Sequence, residues 1–289
     1  MTASSRAGGW VLCLGLLAAC GTVPYTERSQ LVTLSKAEEI ALGEAAFLEV
    51  KSGSRPLDDE RHRTVTRVGE RIAATVGRGD YRWEFLLVDN DEPNAFALPG
   101  GKVAFHTGIL PYCENEDGIA AVMAHEVAHV LARHGAERLS QGRLLELGGA
   151  AVSAVFSGGS PALQRGVRAA YGMGGKVGVL LPFSRQHETE ADEIGLVLMA
   201  RAGFDPREAP RFWRRLLAGG KGGERSEILS THPGDEKRIR KLEERMPIAV
   251  EYYKKAALPP PRPKDAGAPP GDVSPEEILR TLREPEPPE

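Results

Sequence analysis

His125-Glu126-Val127-Ala128-His129 lies inside an apolar, helix-forming run from Asp117 to Arg133. Each helical residue advances about 100°, so His125 and His129 fall one turn apart on one face. Two imidazoles at that spacing can hold one zinc ion. Glu126 beside them is placed to act as a base on a water held there. The pattern constrains the fold first: the run reads as a helix with its two histidines on one face, and a metal site there needs a third ligand.

A catalytic zinc takes three protein ligands and keeps one position open. The third is found in Ser184-Arg185-Gln186-His187-Glu188-Thr189-Glu190-Ala191-Asp192. Glu188 and Asp192 form E-x-x-x-D, again one helical turn apart. Glu188 completes a His-His-Glu set of metal ligands. Asp192 can accept the remaining ring N–H of a zinc histidine, with His125 the expected one, and so fix its tautomer.

With these stretches in hand the chain resembles the gluzincin peptidases of family M48. The resemblance rests on Asn94-Ala95-Phe96-Ala97-Leu98-Pro99-Gly100-Gly101, on the 125–129 motif with Ala132-Arg133-His134 behind it, on the 184–192 stretch, and on Ser230-Thr231-His232-Pro233. It covers about residues 35–246, with the motifs in the family's order. It implies a mostly α fold with a small β-sheet (α+β), a zincin-like metallopeptidase domain with one Zn²⁺ per chain. It also implies an edge strand for substrate, with Ala97 and Leu98 nearest the site, since an extended peptide can be held by adding it to a sheet edge. The T-H-P…R-I pattern implies that His232 and Arg238 lie near the zinc. His232 would either take zinc's fourth position and keep the enzyme latent, or, like Arg238, steady the oxyanion. The implied substrates are misfolded or unassembled proteins.

Residues 1–19 read as a signal peptide: Arg6 gives a positive start, and Gly8 to Ala19 is an apolar run too short to span a bilayer. The run ends Leu17-Ala18-Ala19-Cys20, which looks like a bacterial lipobox, so Cys20 is the expected lipid anchor. Gly21, rather than Asp, follows it, which favours the outer membrane over the inner and places the chain in the periplasm. Once Cys13 leaves with the signal and Cys20 takes lipid, Cys113 stands alone, so no internal disulfide is expected. The formal charge of −3 becomes one unit more negative when Arg6 is removed. No basic segment points to nucleic acid.

The expected organisation is a signal at 1–19, a lipidated tether at 20–34, the peptidase domain at 35–257 and a Pro-rich disordered tail at 258–289. About 210 ordered residues are enough for one core. Ser35 and Glu38 form a capping box for a helix to about Lys51. A second helix is expected from Pro56 to Val76 on the stripe Val65, Val68, Ile72 and Val76. Strands are expected at Trp83–Val88, Asn94–Leu98 and Lys102–Thr107. A helix should run from Ser184 to Arg201, with Gly203 as its cap and Pro206 opening the next. Leu144 to Phe156 is expected to pack in the core, and the Gly-rich stretch Gly158 to Gly178 to form a loop beside the cleft. His62 is expected on the surface and His106 in a structural role. His134, about 140° round a continuous helix from His129, is not expected to reach the same metal.

Overall fold

The structure, a computed structural model, describes residues 20–23, 26–147, 184–219 and 227–256. The signal, the Gly158 to Gly178 stretch, most of Leu144 to Phe156 and the tail lie outside the described residues.

The capping box forms as expected. Ser35 accepts from the Glu38 amide, and the Glu38 side chain returns to the Ser35 backbone, opening α1, Lys36–Gly53. The second helix, α2 (Glu60–Ala73), starts later than the apolar stripe suggests because Asp59 caps it through the Arg61 and His62 amides. The residues before it take another job. Leu57 and Asp89 amides bond the Leu87 and Arg55 carbonyls, each at 2.9 Å, so this segment covers one side of the sheet. His62 is only half-exposed, and its Nε2 lies 3.1 Å from the Phe85 carbonyl, a tertiary contact that its charged neighbours in sequence concealed.

That sheet holds β3 (Glu84–Val88), β4 (Ala95–Leu98) and β5 (Lys102–His106) in the order β3-β5-β4. β5 runs parallel to β3 and antiparallel to β4. Gly100 and Gly101 take φ of 84° and 85° in the turn between β4 and β5, a backbone state open to glycine at little cost. Alternation sends Phe85, Leu87, Ala95, Ala97, Val103 and Phe105 to one face and Leu86, Val88, Phe96, Leu98 and Ala104 to the other. The first face packs with α2 and the motif helix. The second packs with Ala46 and Phe47 of α1.

After a short helix α3 (Leu110–Cys113), Asn115 caps the motif helix α4, Glu116–Leu131, through the Gly118 amide. Every residue of α4 from Gly118 on is buried, so it is a central core helix, apolar all round except where the motif interrupts it. Three segments follow: α5 (His134–Leu147), α6 (Arg185–Arg201, capped by Ser184) and α7 (Glu208–Gly219). Then come α8 (Glu227–Thr231) and α9 (Glu236–Ala256). The last helix continues ten residues past Met246, carrying Pro247 within it. The buried α4 and α6 lie against each other closely: a methyl group on Gly195 would stand 3.0 Å from the His125 amide nitrogen.

The residues expected as a tether pack on this body. β1 (Cys20–Thr22) and β2 (Ser29–Leu31) pair antiparallel. Val23 is fully buried in the core, and the Thr33 amide donates to Ser140 Oγ at 2.9 Å. Among the described residues no helix is long and apolar enough to cross a membrane.

Candidate active site

The sequence brings four donors together from three separate segments. α4 supplies His125 and His129, α6 supplies Glu188, and the turn between α8 and α9 supplies His232. His125 Nε2 lies 3.1 Å from His129 Nε2 and 3.4 Å from His232 Nδ1. Glu188 Oε1 is 3.1 Å from His232 Nδ1 and 3.5 Å from His129 Nε2. All four donors lie within 4.8 Å of one another and all four residues are buried. Three imidazoles and a carboxylate turned towards one point suit a metal better than they suit one another. Zinc bonds of about 2.0–2.1 Å in a tetrahedron put neighbouring donors about 3.3 Å apart, and the pairs above lie at 3.1–3.5 Å within a set no wider than 4.8 Å.

The donors are held from behind. Asp192 Oδ1 is 3.0 Å from His125 Nδ1. Arg238 reaches both carboxylates of α6: Nε and Nη2 donate to Asp192 at 2.7 Å each, and Nη1 lies 2.6 Å from Glu188. Nη1 also donates to the Pro233 carbonyl at 3.2 Å, and the guanidinium lies 4.1 Å over the Trp213 ring. The resemblance implies an oxyanion role for Arg238. Three of its N–H groups donate to Asp192 and Pro233, and its charge pairs with Glu188, so in this arrangement it holds both carboxylates of α6. Trp213 also walls the site, its ring 5.3 Å from that of His125.

Burial alone would raise the pKa values of Glu188 and Asp192, but Arg238, the strongest opposing charge at both, holds them below the usual carboxylate range. Glu126 goes the other way: burial pushes its carboxyl up, against the opposing effects of His232, His125 and the Ala97 backbone amide. Its Oε1 is 3.5 Å from His232 Nε2. Glu126 is thus a carboxylate beside the donor set with a raised affinity for a proton.

The sheet presents one strand to this site. The Asn94 carbonyl accepts from the His106 amide at 2.9 Å. In an antiparallel pair such bonds fall on alternate residues, so Phe96 and Leu98 pair with β5 while Ala95 and Ala97 turn their backbone groups outward. The expected pair Ala97 and Leu98 is therefore refined: Leu98 bonds back towards Lys102, and Ala97 with Ala95 makes the edge. His106 is structural as expected, its Nδ1 3.1 Å from the Glu92 carbonyl. Cys113 is a buried free thiol.

A second layer went unread in the sequence. His134 Nδ1 lies 3.0 Å from His129 Nδ1, and His134 Nε2 lies 2.8 Å from Glu190. The helical angle excluded this contact only for a continuous helix. Arg133 adopts φ of 58°, ends α4 and turns the chain, so that His134 opens α5 behind His129. His187 and Glu190 flank Glu188 within one motif stretch, which was a usable signal. Glu137 and Arg28 carry none.

The model for the family described as Peptidase family M48 matches residues 59–246. The chain belongs to that family. It is 43% identical over 232 residues to the mitochondrial metalloendopeptidase OMA1 of Schizosaccharomyces pombe, covering 78% of this chain and 66% of that protein. It is 34% identical over 254 residues to the Saccharomyces cerevisiae protein of the same name, covering 81% and 71%. It is 36% identical over 225 residues to the beta-barrel assembly-enhancing protease of Escherichia coli, covering 75% and 46%. The chain therefore spans about two thirds of the yeast relatives and about half of the bacterial one. As an M48 chain it is a zinc-dependent metallopeptidase with a zincin-like, mostly α domain, and the four converging donors fit that metal.

Proposed function

We propose that this chain is a zinc endopeptidase of the bacterial cell envelope, held by lipid on Cys20 to the periplasmic face of a membrane, preferentially the outer one. Its substrates are misfolded or unassembled envelope proteins. The observation that carries the reading is Glu126: a buried carboxylate of raised pKa beside the donor set and the outward-facing Ala97 amide. The lipobox-like Leu17-Ala18-Ala19-Cys20 and the name of the Escherichia coli relative support the compartment.

His125, His129 and Glu188 would hold the zinc, with His232 as the fourth donor in this arrangement. Bound zinc supplies Lewis acidity, polarising the scissile carbonyl and making water a better acid. The backbone groups of Ala95 and Ala97 hold the substrate chain as an added strand. Glu126 accepts the proton of the attacking water at its carboxylate as the new C–O bond forms. It then delivers that proton to the amide nitrogen as the C–N bond breaks. Its raised pKa suits it to carry the proton between the two steps.

The test is cleavage of casein by purified residues 20–289 with zinc, wild type beside Glu126→Gln. The variant should keep its zinc and lose about 10²-fold or more of the rate. A Glu126→Gln protein as active as wild type would sink the mechanism.

A second reading concerns how open the site is. With His232 Nδ1 3.1 Å from Glu188 and 3.4 Å from His125, the fourth position is taken by a side chain. In that state the chain is a latent peptidase, acting instead as a chaperone-like assembly factor of the outer membrane.

A further inference from the structure

Each zinc histidine of α4 needs its Nδ1 proton placed, because only then is the Nε2 lone pair left for the metal. For His125 the group facing Nδ1 is the Asp192 carboxylate, at 3.0 Å. For His129 the group facing Nδ1 is another imidazole, His134, at 3.0 Å. Two facing ring nitrogens can share only one proton, so something must decide which ring owns it. The decision lies one step further out. His134 Nε2 faces the Glu190 carboxylate at 2.8 Å, and a carboxylate accepts only. His134 must therefore carry its proton on Nε2 and offer a lone pair at Nδ1. His129 must then carry its own proton on Nδ1, which frees its Nε2 for the metal.

Glu190 is in turn held by the N-terminal arm. Arg28 Nε donates to Glu190 at 3.0 Å, and the Thr26 hydroxyl donates to it as well. The two Nη atoms of Arg28 fork onto Glu137 at 3.0 and 2.6 Å. Glu137 accepts from His187 Nε2 at 3.0 Å, and the His187 ring stacks on His134 with centroids 4.3 Å apart and planes at 20°. His134, Glu137, His187 and Glu190 are all buried. One guanidinium from the arm thus joins two buried carboxylates, each of which fixes one of two stacked imidazoles.

We propose that His134 is the positioning residue for His129, and that Arg28 of the N-terminal arm holds the Glu190 carboxylate that sets the His134 tautomer. The arm that follows Cys20 is then a part of the metal centre. The inference rests on the zinc reading above and adds to it a line of contacts from residues 26–28 to the metal.

The experiment is the zinc dissociation constant of the full chain by competition with a chelator, read beside the thermal midpoint of the metal-free protein. His134→Phe keeps the ring and its stacking but has no acceptor. It should bind zinc about 10–100-fold more weakly. His134→Asn puts an amide oxygen near the place of Nδ1 and should recover most of that loss. Arg28→Gln, made on an arm residue whose side chain is 16% exposed, should weaken zinc in the same direction and by less. A merely structural role for His134 predicts that Phe and Asn lower the metal-free midpoint alike and leave zinc affinity at the wild-type value. That outcome overturns the proposal, as does an Asn variant no better than Phe. A wild-type chain that binds no zinc overturns the zinc reading itself, and this inference with it.

Discussion

His232 is where the chemistry of single residues has most to say about activity. Its Nδ1 stands among the candidate metal donors and its Nε2 faces Glu126, so on the latent reading one side chain would both fill the open position and sit on the base. Removing it by His232→Ala should raise casein cleavage several-fold over wild type while zinc stays bound through the other three donors. Cleavage that falls, with zinc retained, would instead give His232 the role of oxyanion donor. At this scale most of the site was legible. The helical spacing of His125 with His129, and of Glu188 with Asp192, fixes shared faces before any tertiary contact is known. The contacts of Arg238 with the α6 carboxylates were not legible, because Asp192 and Glu188 lie far away in sequence and only the packed structure brings them to it.

Elements matter through how closely they approach. α4 and α6 carry three of the donors, and they meet at Gly195 and Ala124, where an added methyl would stand 3.0 Å from the His125 amide nitrogen and 3.1 Å from the Ala124 carbonyl. Gly195→Val should destabilise the chain by about 1–3 kcal/mol, measured by denaturant midpoint. It should also weaken zinc, since Glu188 and Asp192 move outward with α6. A variant of wild-type stability and zinc affinity would show that the two helices are not held at this point. The break at Arg133 was not foretold: neither glycine nor proline marks it, and the residue holds φ of 58° while its guanidinium bonds Glu39 and the Leu34 carbonyl at 2.8 and 2.9 Å. A left-handed residue held by distant partners leaves no local trace.

For the molecule as a whole, the N-terminal arm decides where the domain begins. A reading from composition starts it at the Ser35 capping box, because residues 20–34 have no periodicity of their own. In the structure Val23, Arg28 and Thr33 are each buried or bonded against residues far along the chain. Acid should loosen this docking. Burial would raise the Glu137 pKa, but hydrogen bonds from His187 and Arg28 outweigh it and hold the group at about 2, below its ordinary 4.5. A depressed carboxylate contributes stability that is present above its unfolded value and is lost as pH falls through its folded one. The thermal midpoint should therefore fall between pH 4.5 and about 2, and Glu137→Gln should flatten that part of the curve. An equal slope in the variant would remove Glu137 from the account. The central claim remains that residues far apart in sequence close on one zinc, and zinc-edge X-ray absorption of the loaded full chain tests it most directly. The account predicts one zinc with four nitrogen or oxygen neighbours at about 2.0–2.1 Å, three of them imidazoles, and one imidazole fewer in His232→Ala. A sulfur neighbour at about 2.3 Å, or a spectrum with fewer than two imidazoles, would contradict it.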